Sequence, residues 1–385
     1  MLTTRCPHCF DELHPDRHAF RCTGSCPETL DEPLSTARGT DELGRPVIST
    51  TDPGGAVCGD CDVPTTTEVC PRCHYELLPG WRATTTTCLA AAGARSSGKS
   101  IYLAVLVKQA ERWCERHGQA LVPADARTDQ AYQRIYEEPL YETRRIIAPT
   151  PSAQVRQAPQ REPLVFDMGS YGGRHHMLVL RDVAGEDLES TSTPIGPFQF
   201  FARADAVVFL FDPLRLDTVR GQLEGVIAPQ QQVAGGDPLD VLRNLVRLMR
   251  SGAPFGERLK TPLAVVLAKF DSLTELADVE GGPLSAVMAN PGAAFNRDES
   301  LELGYDHRDA ALLQAEVESL MSRLQARPLL NLVDTSFELR QLFAVSALGA
   351  LPFDADRVSP RGIAPFRVLD PLKWALARNG VIPWS

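Results

Sequence analysis

Residues 93–100 read GARSSGKS, and this short segment lies between a predicted strand and a predicted helix. The preceding run WRATTTTCLAAA is β-branched and small, which favours a buried strand that ends at Gly93. The following run SIYLAVLVKQAERWCERHG carries apolar residues at helical spacing and ends at Gly118. A strand, a glycine-rich turn and a helix in this order predict an α/β domain with a phosphate-binding loop.

The residue types of this loop suit a nucleotide. Gly93 and Gly98 let successive backbone amides turn towards phosphate oxygens, and the helix N-terminus adds positive potential. Lys99 is expected to reach the β- and γ-phosphates, and the hydroxyl of Ser100 to hold Mg²⁺. Four further residues are predicted to contact the nucleotide: Arg95, Ser96, Ser97 and Ile101.

A carboxylate follows in the segment HHMLVLRDVAGEDL. Its first half is an apolar strand, and Asp182 stands at the carboxyl end, where a carboxylate of the Mg²⁺ site is expected. Three residues later, the amide of Gly185 is placed to bond a γ-phosphate and to lose that bond on hydrolysis. The segment is therefore predicted to sense the state of the nucleotide.

These two segments resemble those of the Ras-like GTPases of the translation-factor-related P-loop class. Three later segments continue the resemblance in the same order: ADAVVFLFDP at 204–213, PLAVVLAKFD at 262–271 and LFAVSALG at 342–349. They look like the strand after the second switch, the strand before the base-reading NKxD motif, and the last strand with its SAK-like loop. The resemblance spans residues 84–349 and implies a doubly wound, mainly parallel α/β sheet.

Within this resemblance, Lys269, Asp271, Ser346 and Ala347 fall where guanine is recognised. A carboxylate at Asp271 can accept hydrogen bonds from the N1 and N2 groups of guanine, which adenine does not offer. Lys269 can lie along the ring. The resemblance implies GTP and GDP as ligands.

Three positions depart from the family pattern. Ala268 replaces the asparagine of NKxD and so removes an amide that ties the base loop to the phosphate loop. Glu186 stands where the family places a water-orienting glutamine, and Arg95 occupies a loop position that is glycine in Ras. With Lys99, Gly185 and Glu186 as the predicted catalytic residues, these departures predict a weakened guanine preference and slow hydrolysis.

A threonine is expected to cover Mg²⁺ from the side opposite Ser100, and Thr128, Thr143 and Thr150 are available. We favour Thr150 because it precedes PLVFDM, a candidate edge strand. The segment 149–163 is rich in Pro and Gln, which is typical of a mobile segment and equally of a plain linker.

Eight of the ten cysteines precede residue 74 and form four closely spaced pairs. Because no export signal is visible, this spacing indicates metal sites rather than disulfides. Two pairs complete a tetrahedral Zn²⁺ site, so the eight thiols predict two structural zinc ions without an open coordination position. The pairs are Cys6/Cys9, Cys22/Cys26, Cys58/Cys61 and Cys70/Cys73.

Two groupings of these pairs are open. An interleaved arrangement is one of them. Neighbours in sequence give the other, with Cys6, Cys9, Cys22 and Cys26 on one ion and Cys58, Cys61, Cys70 and Cys73 on the second.

The chain of 385 residues has a formal net charge of −10 and shows neither an export leader nor an apolar run of the ~20 residues that a membrane span needs. These features predict a cytoplasmic protein without affinity for nucleic acid. Residues 1–80 hold six arginines against thirteen acidic residues. We therefore expect a zinc-ribbon module at 1–80 that binds a protein partner or braces a nucleotide-binding domain at 81–385.

Cysteine pairs in front of the nucleotide domain and a closing helix DPLKWAL at 370–376 resemble the bacterial double-GTPase families. The resemblance implies a GTP-binding regulatory switch with slow hydrolysis and a protein effector or regulator. Three alternatives stay open: an ATPase with the same loop, a pseudo-GTPase that holds nucleotide without cycling, and a zinc-based scaffold that ignores nucleotide.

Overall fold

The computed structural model shows a mixed α/β protein and describes residues 3–152, 162–224, 236–251, 256–279, 282–298, 301–354 and 356–385. Residues 153–161 of the predicted mobile segment or linker lie outside this described part. The strands are β1 His18–Arg21, β2 Thr29–Leu30, β3 Leu43–Gly44, β4 Val47–Thr50, β5 Ala56–Val57, β6 Pro64–Thr65, β7 Thr67–Glu68, β8 Thr85–Gly93, β9 Val122–Pro123, β10 Leu164–Tyr171, β11 Arg174–Arg181, β12 Ala206–Phe211, β13 Leu263–Leu267 and β14 Arg340–Ala344.

Helices of varied length connect these strands. The α-helices are α1 Glu32–Arg38, α2 Lys99–Arg116, α3 Ala126–Ala131, α4 Gly185–Glu189, α5 Asp217–Gln222, α6 Pro238–Met249, α7 Phe270–Thr274, α8 Ser285–Met288, α9 His307–Arg323, α10 Arg327–Ser336 and α11 Asp370–Arg378. A π-helix spans Tyr132–Glu142, and 3₁₀ turns include Gly196–Arg203 and Pro213–Arg215. None of the described helices is both long and apolar enough to cross a bilayer.

Seven strands form the central sheet in the order β14-β13-β12-β8-β11-β10-β9. From β14 to β11 the neighbouring strands are parallel, while β10 and β9 extend the sheet in antiparallel fashion. The strands β8, β12 and β13 are buried along their whole length, as expected for small and β-branched residues in a parallel sheet. The predicted α/β class with a mainly parallel sheet is confirmed.

The chain builds first one flank of β8 and then the other. After β8 it forms β9, β10 and β11 on one side, and it then crosses to form β12, β13 and β14 on the opposite side. Because parallel strands end at the same edge of a sheet, the segments that follow β8, β11, β12, β13 and β14 meet there. The carboxyl end of β8 is therefore a topological switch point, which is where open α/β sheets bind ligands.

Two of the three threonines of β8 form hydrogen bonds with a buried histidine. His176 on the neighbouring β11 lies 2.8 Å from Thr85 Oγ1 through Nδ1 and 3.0 Å from Thr87 Oγ1 through Nε2. Burial lowers the pKa of His176 to about 4, so the ring is neutral at physiological pH. These contacts give His176 a structural role in the sheet.

Residues 3–80 form short antiparallel strands around the cysteine pairs and pack directly on the central domain. Arg181 at the end of β11 donates from NH1 to the carbonyl oxygen of His8 at 2.6 Å. Phe10 packs edge-to-face on Phe200 with ring centroids 5.5 Å apart. Hydrogen bonds from side chain to backbone and aromatic contacts thus join the two predicted modules. The boundary between them stays a prediction.

Candidate functional site

The segment 93–100 forms a tight loop between β8 and α2. Gly93 has a φ of 148°, Gly98 a φ of 92°, and Ser96 a left-handed φ of 56°. A Cβ atom at Gly93 would lie 2.6 Å from the carbonyl oxygen of Leu210 on β12. A larger residue cannot stand at this position without moving the sheet, so the loop depends on its first glycine.

Lys99 is buried in the first turn of α2, with 6% of its surface exposed. Its Nζ donates to the carbonyl oxygens of Gly93 at 2.9 Å and of Ala94 at 2.8 Å. Burial lowers the pKa of Lys99 to about 8, although Asp182 and Glu189 act in the opposite direction. A cation held by carbonyl dipoles inside a loop of backbone amides is suited to bind an anion.

The three side chains predicted to bind Mg²⁺ lie together where β8 and β11 end. The hydroxyls of Ser100 and Thr150 donate to Asp182 Oδ2 at 2.6 Å and 2.7 Å, and the two hydroxyl oxygens are 3.0 Å apart. We call Ser100, Thr150 and Asp182 the oxygen cluster. The other candidate threonines, Thr128 and Thr143, bond to backbone groups away from this cluster.

Asp182 has capacity for a further partner. Its Oδ1 atom is buried and has no hydrogen-bond partner within the described part of the chain. An unpaired buried polar atom costs about 1–3 kcal/mol, so a cation or a donor is expected beside it. Two hydroxyls and a carboxylate are oxygen ligands of the kind Mg²⁺ prefers, and three protein ligands leave positions for water and phosphate oxygens. The residues present therefore fit the predicted ion.

Helix α4 begins against the phosphate loop. A Cβ atom at Gly185 would lie 2.3 Å from the amide nitrogen of Arg95, so this contact requires glycine. The Arg95 guanidinium lies 3.0 Å from Glu186 Oε1 and 3.6 Å from Glu189 Oε2. Two of the three departures from the Ras-like pattern, Arg95 and Glu186, thus form an ion pair whose side chains are about half-exposed.

Two residues that the sequence did not single out touch the site. Tyr136 of the π-helix is buried and donates to Asp182 Oδ2 at 3.4 Å. Glu189 Oε1 accepts a hydrogen bond from the amide of Arg95 at 2.7 Å. A side chain of the protein therefore already uses one backbone N–H of the loop 93–100. No local sequence pattern indicates that Tyr136 reaches the site, whereas Glu189 follows Asp182 and Gly185 closely enough in sequence to be considered as a site residue.

Three of the residues predicted to read the base lie at the carboxyl ends of β13 and β14. Ser346 Oγ donates to Asp271 Oδ1 at 2.5 Å. Lys269 has a left-handed φ of 49°, and its Nζ lies 2.7 Å from Asp212 Oδ2. Burial raises the pKa of Asp271, and the bond from Ser346 acts in the opposite direction. Ala347 follows Ser346 and is partly buried.

The remaining loop residues differ in their surroundings. Ser97 Oγ is buried and lacks a hydrogen-bond partner among the described residues. Ser96 is exposed, and Ile101 packs partly against the core. Their contact with a nucleotide stays a prediction.

The cysteine pairs are nested, rather than grouped by neighbours or interleaved. Both groupings that the sequence left open are therefore wrong. Strand β1 follows the first pair and is antiparallel to β7, which precedes the last pair, so both strands carry their pairs to the same end. One cluster is Cys6, Cys9, Cys70 and Cys73, and the other is Cys22, Cys26, Cys58 and Cys61.

Three of the pairs share a backbone geometry that follows from their two-residue spacing. In CPHCF, CGDCD and CPRCH, the residue after the second cysteine has a left-handed φ, of 59° at Phe10, 54° at Asp62 and 55° at His74. Backbone amides also point at sulfur, as the amide of His8 donates to Cys6 Sγ at 3.4 Å. Such amides stabilise metal-bound thiolates.

The sulfur positions fit zinc. Facing sulfurs are 3.6 Å apart for Cys6 and Cys73 and 3.7 Å apart for Cys9 and Cys70. Both facing pairs of the second cluster are 3.6 Å apart. A tetrahedral ion with Zn–S bonds of about 2.3 Å holds its sulfurs roughly 3.8 Å from one another. Two four-cysteine sites that could bind zinc are therefore present, and all ten cysteines are free thiols.

Comparison with known proteins connects the chain to a family at the sequence level. No protein-family model matches the chain. A curated relative from Mycolicibacterium smegmatis carries the provisional name ESX-1 scaffolding and assembly protein SaeC and is 42% identical over 406 residues. The match covers 98% of this chain and 100% of the relative. The chain belongs to the SaeC family.

Two solved structures are similar to this SaeC-family chain at low identity. The bacterial selenocysteine-specific elongation factor EF-Sec is 14% identical with a TM-score of 0.28. The S. cerevisiae Ski7 GTPase-like domain, bound to GDP and inorganic phosphate, is 12% identical with a TM-score of 0.30. The matches cover 76% and 77% of this chain but 28% and 50% of the two structures. TM-scores this low do not establish a common fold.

Proposed function

We propose that this protein is a guanine-nucleotide-binding switch with slow hydrolysis that acts through contacts with other proteins. The observation that supports the proposal is that the side chains predicted to bind phosphate and those predicted to read the base lie at the same edge of the sheet. The oxygen cluster lies at the ends of β8 and β11, and the Asp271–Ser346 pair lies at the ends of β13 and β14. A nucleotide is a ligand long enough to occupy both groups.

The phosphate half supports binding of a di- or triphosphate. The loop 93–100 turns its amides at the N-terminus of α2, an 18-residue helix whose dipole favours negative charge. Lys99 supplies a buried ammonium beside these amides. The oxygen cluster would hold Mg²⁺, which neutralises phosphate charge when it is bound.

The base half supports guanine over adenine. Asp271 has one carboxylate oxygen bonded to Ser346, and this bond fixes the orientation of the carboxylate. An oriented carboxylate increases the affinity for a base with two adjacent donors and lowers the affinity for a base that leaves the carboxylate without a hydrogen bond. The ATPase alternative lacks a comparable feature, since no described contact favours an adenine amino group.

Slow hydrolysis is supported by the pairing of Arg95 with Glu186. A carboxylate held by a guanidinium is a poorer group for orienting an attacking water than the glutamine amide found in active Ras-like GTPases. The pair is about half-exposed, so it is weak enough to open when a partner binds. Intrinsic turnover is therefore proposed to be low and open to control.

Switching is supported by the contact between α4 and the phosphate loop. Gly185 leaves no room for a Cβ atom beside Arg95, and Glu189 holds the Arg95 amide. A phosphate oxygen that takes this amide would displace Glu189 and with it α4, which packs against α6. Nucleotide binding would thus move α4 against α6, a helix outside the site.

The partner is proposed to be protein. The relative SaeC is named for ESX-1 scaffolding and assembly, and we propose a comparable assembly role here, with the cysteine module bracing the domain or binding the partner. A net charge of −10 disfavours nucleic acid as the ligand.

Titration with fluorescent GTP and ATP analogues tests the proposal. The wild type is expected to bind GTP at least about tenfold more tightly than ATP, and Asp271→Asn is expected to remove most of this preference. Asp278→Asn, an exposed carboxylate on the turn that follows, is the matched control and should retain it. Equal affinity of the wild type for the two nucleotides would overturn the guanine assignment.

A second candidate function is a scaffold that ignores nucleotide. The bond from the Arg95 amide to Glu189 favours it, because the chain then fills its own phosphate loop. The name of the relative is compatible with it as well. The same titration decides between the candidates, since a pure scaffold binds neither GTP nor ATP.

A further inference from the structure

Arg215 is a buried arginine at the switch point of the sheet, outside the residues predicted for the nucleotide. It ends the turn Pro213–Arg215, which follows β12, and β12 lies between β8 and β13. Its side chain is 4% exposed. The fold therefore keeps a permanent positive charge between the phosphate loop, residues 93–100, and the base loop, residues 268–271 after β13.

Arg215 contacts the phosphate loop directly and the base loop through Asp212. One terminal nitrogen, NH2, donates to the carbonyl oxygen of Arg95. Its Nε lies 3.8 Å from Asp212 Oδ2, and the same oxygen lies 2.7 Å from Lys269 Nζ. A continuous path of polar contacts thus joins Arg95 to Lys269.

The geometry of this path suits arginine. A planar guanidinium can hold a carbonyl and a carboxylate at the same time, whereas the ammonium of lysine acts as a point charge. Asp212 is 3% exposed, and its one carboxylate is shared by two cations. Ala268, which precedes Lys269, offers a methyl group and no hydrogen bond to the phosphate loop.

The hydrogen bonding of Arg215 is incomplete. Its Nε and NH1 have no hydrogen-bond partner within the described part of the chain. Unpaired buried donors are costly, and a buried ion group is weak evidence for stability alone. The position of this arginine is therefore better explained by a role in the site than by a contribution to folding.

We propose that Arg215 is a positioning residue that couples the base loop to the phosphate loop, so that guanine recognition at Asp271 strengthens phosphate binding at Lys99. This inference rests on the proposed nucleotide function. When the path is broken, both loops remain, but each binds its part of the nucleotide independently of the other.

A double-mutant cycle on GDP binding tests the coupling with Arg215→Met and Lys269→Met. Arg215→Met alone is expected to weaken GDP binding by about tenfold. Added to Lys269→Met, the same change is expected to cost less than about twofold, because the path is already broken. Independent losses, with about tenfold in both backgrounds, would contradict the proposal.

Comparison of GDP with ADP separates the proposed coupling from a purely structural role, because a structural role would change the affinity for both nucleotides equally. ADP cannot use Asp271 fully, so Arg215→Met is expected to weaken ADP binding by less than about threefold. Arg215→Lys should stay as weak as Arg215→Met towards GDP, because a single ammonium lacks the separate Nε and Nη2 atoms that face Asp212 and Arg95. Equal losses for GDP and ADP would overturn the coupling.

Arg220→Met is the matched control. Arg220 lies on α5 and pairs with Asp217, whose side chain is 90% exposed. This variant should bind GDP like the wild type. Circular dichroism and thermal unfolding establish that each variant is folded at the temperature of the titration, and Asp212→Asn replaces Arg215→Met in the cycle if the latter unfolds.

Failure of the nucleotide function and failure of the path are distinguishable. A wild type that binds neither GDP nor ADP contradicts the proposed function. The path is then tested in the nucleotide-free protein by amide hydrogen exchange of residues 94–98. Faster exchange of these amides in Lys269→Met, whose side chain lies at the far end of the path, supports the coupling between the loops, and unchanged exchange contradicts it.

Discussion

The cysteine clusters and the oxygen cluster are both groups of side chains that could hold a metal ion, but they differ in the coordination positions that they would leave free. In each cysteine cluster four sulfurs face one another, and an ion bound by four thiolates has no position left for a ligand. The oxygen cluster offers two hydroxyls and one carboxylate, which leaves an octahedral ion several positions. The sulfur sites are suited to hold the fold, and the oxygen site is suited to respond to a ligand.

The two cysteine clusters also differ from each other. The first cluster, with Cys6 and Cys70, belongs to the main hydrophobic core of the protein. The second cluster, with Cys22 and Cys58, forms a small separate core with Ile48 beside it. Damage at the first cluster should therefore reach the central sheet, whereas damage at the second should stay local.

The largest expected effect is the loss of stability when the first cluster is broken. Structural zinc contributes ~10–16 kcal/mol to the folding of small zinc modules, so Cys70→Ser should lower the free energy of unfolding of the whole protein substantially. Cys58→Ser is the matched variant in the second cluster and should leave the central sheet intact. Amide exchange of β8 during thermal unfolding measures the difference.

Elemental analysis accompanies this comparison. The wild type should contain two zinc ions per chain, one for each cluster, and each serine variant should lose one. Equal protection of β8 in the two variants would contradict the distinction between the clusters.

A smaller but still large effect is expected from Lys99→Ala on nucleotide binding. Loss of charge-assisted bonds to phosphate should cost about 3 kcal/mol or more, which is at least roughly 100-fold in affinity for GTP and ATP alike. Lys108→Ala on the same helix is the control, because Lys108 pairs with Glu111 and Glu137 away from the loop. Unchanged nucleotide affinity in Lys99→Ala would contradict the proposal that Lys99 and the loop 93–100 bind phosphate.

The pH dependence of binding should follow the lowered pKa of Lys99. Its pKa is about 8 in the folded protein against an ordinary value of 10.5. Between these values the unfolded chain keeps a proton that the folded chain has released, so the free energy of unfolding without nucleotide rises with pH. Phosphate favours the charged ammonium, and affinity should therefore fall above pH 8 by up to about tenfold per pH unit.

Lys99→Arg separates this titration from that of the nucleotide itself. A guanidinium stays charged throughout the range, so the variant should show only the pH dependence of the nucleotide and the other groups. Binding profiles of wild type and variant that run parallel above pH 8 would show that Lys99 does not titrate as described.

The smallest effect concerns the edge of the open site. Glu186→Gln breaks the ion pair with Arg95 and supplies an amide that can orient water, so single-turnover GTP hydrolysis should rise a few-fold. Stability should change by less than about 1 kcal/mol because the pair is exposed. Glu257→Gln, at an exposed position away from the site, is the control. No increase in hydrolysis would assign slow turnover to Arg95 instead.

Much of the site around the oxygen cluster could be predicted, because the sequence patterns that indicate it are local. The small and β-branched run before Gly93 and the apolar spacing after Lys99 are sufficient to indicate β8 and α2. Thr150 precedes the candidate strand PLVFDM, and that strand forms as β10. Strands that run parallel in one sheet then bring Asp182 to the loop, since their carboxyl ends share an edge.

The rest could not be predicted because it depends on contacts between distant segments. The pairing of β1 with β7 decides which cysteines meet, and short strands of two to four residues give little periodic signal. Tyr136 reaches Asp182 across 46 residues, and Arg215 reaches Arg95 across 120. Side chains of these types occur throughout the sequence, so spacing alone does not select them.

The dependence of nucleotide binding on Mg²⁺ tests the contrast between closed and open sites most directly. GDP and GTP are titrated with the wild type and with Asp182→Asn, each with Mg²⁺ and with a chelator selective for Mg²⁺ over Zn²⁺, and zinc content is checked in every sample. Mg²⁺ should tighten binding to the wild type by at least about tenfold and should have little effect on Asp182→Asn, while both proteins keep their zinc. Nucleotide affinity that is independent of Mg²⁺ in the wild type, or equally dependent on it in Asp182→Asn, would contradict the assignment of the oxygen cluster as an open metal site.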